Sequence, residues 1–271
     1  MAHNGNIPAG ALQGERALIT GASSGIGAEF ARQFADLGCS LVLTARRKDR
    51  LDALAGELRD KAGIDVDIAA MDLSKPDAAA VLKSTLDEAG IDVDIIVNNA
   101  GFGLQEDFIE RDWADWEGVI DLDIKAFTHI THVFARDMIA RNKKGRILQI
   151  GSIFSFGGVP SYAVYSAAKS YVLSFSEALA DELAPHGITV TTLAPGVTQT
   201  EFFDTASDGK VSEAGRRIMQ MPAEVVADGI KAMMAGRPLV VSGWINRAMI
   251  FSRRLRSRQS AVHALGQASR S

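Results

Sequence analysis

Short apolar runs alternate with amphipathic stretches along most of the chain. RALIT (16–20), SLVLTA (40–45), VDIAAMDL (66–73), VDIIVNNAG (93–101), GRILQIGS (145–152) and ITVTTLAPG (188–196) are too short for core helices and predict strands buried on both faces. RPLVVSG (237–243) predicts a seventh strand. Between them, apolar residues recur at helical spacing. AEFARQFADLG follows the first strand and stops at Gly38; further helices are predicted near 47–62, 77–89, 112–141 and 161–187, the last closed by Pro185 and Gly187. This alternation implies right-handed crossovers and a parallel sheet covered on both faces. The expected fold is α/β, one doubly wound domain over 15–246 with about seven parallel strands. Residues 1–14 read as a flexible arm, 197–236 as a long insertion after the sixth strand, and 247–271 as a basic tail.

Composition narrows the function classes. A hydrophobic fraction of 47% and a charged fraction of 23% over 271 residues are ordinary for a globular protein and suit one large α/β domain. A net charge of −4 argues against general nucleic-acid binding. Cys39 is the single cysteine, so no intrachain disulfide can form, which fits a reducing compartment. The first twenty residues lack a charged segment followed by an apolar one, and no run is pure enough for a membrane span; a cytoplasmic protein is the default expectation.

TGASSGIG (20–27) falls where the first strand meets a helix. Gly21 permits a tight turn, Gly25 lets backbone approach a ligand, and Gly27 lets the helix pack on the sheet. The free N–H groups at the helix start, with Ser23, Ser24 and Ile26 around them, suit a pyrophosphate, as in a Rossmann-type domain. The spacing is G-x-x-x-G-x-G, not the usual G-x-G-x-x-G, and a flexible turn is the plainer alternative. The second strand ends in TARRK. Ala45 cannot bond a ribose 2′-hydroxyl as an acid would, whereas Arg46 and Arg47 can grip a 2′-phosphate, helped by Ser23. This favours NADP(H) over NAD(H), unless the arginines are solvated loop charges.

YSAAK (165–169) puts Tyr165 and Lys169 one helical turn apart. An ammonium there would draw the phenol pKa down and make it a usable proton donor. Together TGASSGIG, NNAG (98–101), Ser152, YSAAK and PG (195–196) occur in the order of, and resemble, the short-chain dehydrogenase/reductase family, strongly over 14–200 and by layout over 201–243. The resemblance implies that Tyr165 exchanges a proton with a carbonyl or alcohol oxygen. It implies that Lys169 tunes Tyr165 and bonds the nicotinamide ribose, and that Ser152 polarises the carbonyl, with Ser155 the less well spaced alternative. Asn99, Ala100 and Gly101 would pass beside the adenosine, Asp72 and Leu73 would flank the adenine, and Pro195, Gly196 and Thr198 would meet the nicotinamide. A homodimer or homotetramer built on the two long helices is also implied.

One position departs from the family. Its usual Asn is here Asp123, in DLDIKAF. Asp123 either keeps a water relay to Lys169 with a shifted pH optimum or slows the enzyme, and in the extreme the chain is a nucleotide-binding sensor or scaffold. Phe202, Phe203, Met219 and Met221 in the insertion suggest a loop closing over an apolar carbonyl or alcohol, or simple core packing. His129, His132 and His186 form no metal pattern. The tail holds Arg247, Arg253, Arg254, Arg256, Arg258 and Arg270 and no acid. It reads as weak membrane-surface contact through 247–258, as a cover for the site, as a subunit contact, or as a solvated end.

Overall fold

The computed structural model describes residues 7–202, 213–253, 255 and 257–263. Seven parallel strands form one sheet: β1 (Arg16–Thr20), β2 (Ser40–Ala45), β3 (Val66–Ala70), β4 (Ile95–Asn98), β5 (Gly145–Ile150), β6 (Ile188–Ala194) and β7 (Leu239–Val241), in the order β3-β2-β1-β4-β5-β6-β7. The chain is therefore a single Rossmann-like α/β domain, as its apolar runs predict. The helices are α1 (Gly25–Asp36), α2 (Lys48–Ala62), α3 (Ala78–Glu88), α4 (Trp113–Ile120), α5 (Phe127–Ala140), α6 (Ala163–Leu183), α7 (Glu213–Arg217), α8 (Pro222–Met234) and α9 (Trp244–Arg253).

Each face of the sheet carries its own core. On one, Phe30 and Phe34 of α1, Leu51 and Leu58 of α2 and Val225 and Ile230 of α8 cover Ile19, Leu43 and Val97. On the other, Leu82 of α3, Ile130, Phe134 and Met138 of α5 and Leu183 of α6 cover Leu18, Val42 and Ile147. Full burial of each such side chain contributes roughly 1.5–3 kcal/mol. The strand order reverses at β1 and β4, so the crevice between their C-terminal ends is where a doubly wound fold binds ligand.

The structure corrects several expected boundaries. β3 ends at Ala70 and β4 at Asn98; Met71–Leu73 and Asn99–Gly101 leave the sheet and line the crevice instead. The helix expected over 112–141 is interrupted by a π-helical turn, Asp121–Ala126, between α4 and α5. Such a turn inserts one residue and re-aims those beside it. Helix α6 stops at Leu183, and Ala184–His186 form a 3-10 turn ending on Gly187 at φ 71°.

The N-terminal arm is not loose over residues 8–14. Residues 9–14 form turns, Leu12 is fully buried against the core, and its N–H donates to Leu37 O at 3.1 Å. Residues 1–6 lie outside the described residues. The insertion after β6 is likewise more than a loop: α8 is part of the core, while Met221 at its N-terminus faces solvent. Phe203, Arg254, Arg256 and Arg270 lie outside the described residues. The proposed start of the tail cuts through α9, which is anchored by buried Asn246 donating to Ser242 O and Gln220 Oε1. Helix α9 packs on the turn Ile153–Phe156, and the Arg253 guanidinium lies against Gly157.

Candidate active site

A cleft of about 530 Å³ runs from the α1 N-terminus to the aromatic cluster beside Tyr165. Its first half is a cradle for phosphate. Gly21 has φ +67°, and a Cβ there would meet Asn99 Nδ2 at 2.8 Å; Gly27 is pressed against Gly21 O and Asn99. Asn99 Nδ2 donates to Thr20 O at 2.9 Å and so clips the glycine turn to the β4 loop. Ser24 occupies the N-cap of α1 without a capping hydrogen bond, and no acid lies in the first turn. Those first-turn N–H groups are left for an anion, and a pyrophosphate fits them.

Arg47 lies over the same turn, donating to Ser23 Oγ at 3.1 Å and Ser24 Oγ at 2.8 Å. Arg46 also lines the cleft, close enough to Asp72 to act on its charge. Burial raises the Asp72 carboxyl, but two hydrogen bonds from Ser74, with Arg46 nearby, outweigh it and hold the group below its ordinary value. Leu73, Ala100 and Gly101 complete this wall, and Ile26 borders the cradle.

The second half holds the ionisable groups. Tyr165 and Lys169 of α6, Ser152 just beyond β5 and Asp123 of the π-helical turn are all buried. Lys169 Nζ lies 5.6 Å from the Tyr165 ring centre, 3.1 Å from Asp123 Oδ2 and 3.3 Å from Ile150 O. Asp123 Oδ1 accepts the Phe102 N–H at 3.0 Å. A Cβ at Gly101 would fall 2.7 Å from Asp123 Oδ1, so this carboxylate fits only beside a glycine. Ser152 Oγ accepts the Phe154 N–H, leaving its own proton for a partner; Ser155 Oγ accepts the Ser152 N–H and braces that turn, so Ser152, not Ser155, faces Tyr165.

These contacts revise the expected electrostatics of Tyr165. Burial pushes its phenol above the ordinary value; Lys169 pulls it down, Asp123 pushes it up again, and the Ser152 hydrogen bond lowers it. The ammonium acts in the expected direction, but burial with a neighbouring carboxylate outweighs it. Burial tends to discharge Lys169, yet Asp123 and Tyr165 outweigh it and keep it an ammonium. Burial raises Asp123 against the pull of Lys169.

Around Tyr165 stands an apolar wall. The Phe202 ring is 5.5 Å away and Phe154 6.1 Å, while Tyr162 packs edge-on to Phe154 and donates its hydroxyl to Gln105 Oε1 at 2.8 Å. Phe102 and Thr200 also line the cleft, though no sequence motif marks either of them. Thr198 lines the cleft but turns its hydroxyl back to Gly196 O at 3.0 Å. It is Thr200 whose side chain stands 3.2 Å from a Cβ on Gly25. Its proximity to the glycine turn leaves no trace in the local sequence. Pro195 O accepts the Ile153 N–H at 2.9 Å, and Gly196 is pressed against Asn246, tying this end of the cleft to the turn after β5 and to α9. Cys39 is buried far along the sheet, its thiol pushed up to about 12 mainly by burial, so it is inert as a nucleophile.

Comparison with known proteins agrees with this geometry. The family described as short chain dehydrogenase matches residues 15–210. Sulfoacetaldehyde reductase 2 of Chromohalobacter salexigens is 38% identical over 215 residues, which is 78% of this chain and 84% of that protein. A short-chain dehydrogenase from Sphingobium yanoikuyae, solved in complex with NADPH, superposes with a TM-score of 0.78 at 33% identity, covering 89% of this chain and 94% of that one. A Burkholderia phymatum protein solved with NAD has a TM-score of 0.79 at 26% identity, covering 90% and 94%. Of these two solved relatives, one was thus crystallised with NADPH and the other with NAD.

Proposed function

The chain belongs to the short-chain dehydrogenase/reductase family, and from that premise we propose an NADP(H)-dependent oxidoreductase for an apolar carbonyl compound or secondary alcohol. The observation that carries this reading is the burial of Tyr165, Lys169 and Ser152 together in the cleft that also holds the glycine turn. A bound nicotinamide supplies or accepts the hydride. The rest falls to the protein. Ser152 Oγ–H holds the carbonyl oxygen, Tyr165 Oη gives it a proton, and Lys169 steadies the phenolate left behind. The intact trio argues against a sensor or scaffold, which has no need of a proton donor. Phe102, Phe154, Tyr162 and Phe202 exclude water and favour an apolar substrate. Spectrophotometric assay of NADPH oxidation against a panel of apolar ketones and aldehydes tests the proposal; tight NADPH binding with no turnover on any of them would restore the sensor reading.

The NADP(H) preference rests on Arg46 and Arg47 and on the lack of an acid at Ala45. A charge-assisted hydrogen bond is worth about 1.5–3 kcal/mol. Arg46→Ala is therefore expected to weaken NADPH binding by roughly tenfold or more and NADH binding by less than twofold, read by nucleotide fluorescence titration. Asp72 and Leu73 flank the adenine, and Pro195, Gly196 and Thr198 the nicotinamide, in this reading.

Asp123 sets the pH profile. It raises the Tyr165 pKa, so Asp123→Asn is expected to move the alkaline limb of the turnover profile to lower pH while keeping or raising the maximal rate. A collapse of rate across the whole profile would show that the carboxylate has a role of its own. No helix among the described residues is long and apolar enough to cross a membrane. We place the protein in the cytoplasm as a homodimer or homotetramer paired through α5 and α6. Of the readings of the tail, cover for the site is favoured by the seat of α9 on the turn after Ser152; contact with a membrane surface would instead use its exposed Trp244 and Phe251.

A further inference from the structure

Arg47, beside the phosphate cradle, and Arg50, one helical turn on, already hold an anion from the protein itself. Glu201, at the start of the segment after β6, lies 151 residues from Arg50 in sequence, yet its carboxylate accepts from Arg50 Nη1 at 2.7 and 2.9 Å. It also accepts from Arg47 Nη1 at 3.2 Å. The other end of the Arg47 guanidinium is on Ser23 and Ser24, the hydroxyls flanking the glycine turn. On the reading that Arg47 serves the 2′-phosphate, Glu201 occupies the partner position that this phosphate would need. These hydrogen bonds also hold the Glu201 carboxyl below its ordinary value, so it is an anion throughout the neutral range.

We infer that Glu201 is a specificity-determining residue, a resident anion on Arg47 and Arg50 that the cofactor's 2′-phosphate must displace. A dinucleotide without that phosphate leaves the Glu201 contacts undisturbed. One with it either expels the carboxylate or binds beside it, and two anions sharing two guanidinium groups each gain less than one alone. The discrimination between the two dinucleotides is therefore smaller than Arg46 and Arg47 would give by themselves. Displacement also reaches further, because Glu201 lies between Thr200, which packs on Gly25, and Phe202, which packs on Tyr165. Nucleotide identity is thereby linked to the wall of the substrate site. This rests on the NADP(H) reading above.

Calorimetric titration of the full chain with adenosine 2′,5′-bisphosphate and with 5′-AMP tests it without turnover. The side chains are about half exposed. An exposed charge interaction is worth at most about 1 kcal/mol, so Glu201→Gln is expected to tighten the bisphosphate by about three- to fivefold and 5′-AMP by less than twofold. The gain shrinks as salt is raised. Equal tightening of both ligands would make Glu201 a general negative charge over the cleft and overturn the inference, as would no change in either. Should the unmodified chain prefer NADH while Glu201→Gln still tightens only the 2′-phosphorylated ligand, the NADP(H) reading falls and the role of Glu201 stands.

Discussion

Tyr165→Phe is expected to lower carbonyl reduction by about 10²–10⁴-fold, the usual contribution of a positioned proton donor, with nucleotide affinity nearly unchanged. The ring of Tyr165 packs against Phe154, Tyr162 and Phe202, and phenylalanine preserves every one of those contacts. Stability therefore holds, and only the Oη proton is lost. Single-turnover decay of NADPH absorbance at saturating ketone isolates the step. A variant that oxidises nucleotide at the unmodified rate would show that the proton comes from elsewhere and would end this mechanism.

Lys169→Met is expected to damage the fold as well as the chemistry. The side chains of Lys169 and Asp123 are 8% and 0% exposed, so removing the ammonium strands a carboxylate where water cannot reach it. Breaking a buried pair on one side typically costs 3–5 kcal/mol, or roughly 10 °C in Tm for a domain of this size. Burial raises Asp123 above its unfolded value. A group shifted this way is most favourable to the fold at low pH and loses that contribution as pH rises. The Tm deficit of Lys169→Met should accordingly be large at neutral pH and shrink in acid. Adding Asp123→Asn should recover most of the Tm but none of the turnover. Calorimetry of the single and double variants across pH separates the two effects; a Tm deficit that is flat with pH, or that the second substitution fails to relieve, would show that the pair does not act as described.

Much of this site is legible along the chain, for identifiable reasons. The strands betray themselves because a parallel sheet covered on both faces needs unbroken apolar runs. The glycine turn and the Tyr165–Lys169 pair are readable because both are local, fixed by spacing within one loop or one helical turn. The π-helical turn is not readable, since six residues of DLDIKAF fit a regular helix equally well by pattern. The approach of Thr200 and Glu201 to the phosphate cradle is invisible for a different reason: it joins segments that only the assembled sheet brings together. The net rise of the Tyr165 pKa was also beyond sequence, because the sign depends on how much water burial removes, and a motif states only who the neighbours are.

The tight seat of Asp123 against Gly101 has one more consequence. Asparagine and aspartate are nearly the same size, and their codons differ by a single base. Evolution can thus flip the support beneath Lys169 between neutral and anionic in one step, with a side chain of nearly the same volume. In this enzyme, the acidity of the proton donor can drift independently of the shape that selects the substrate.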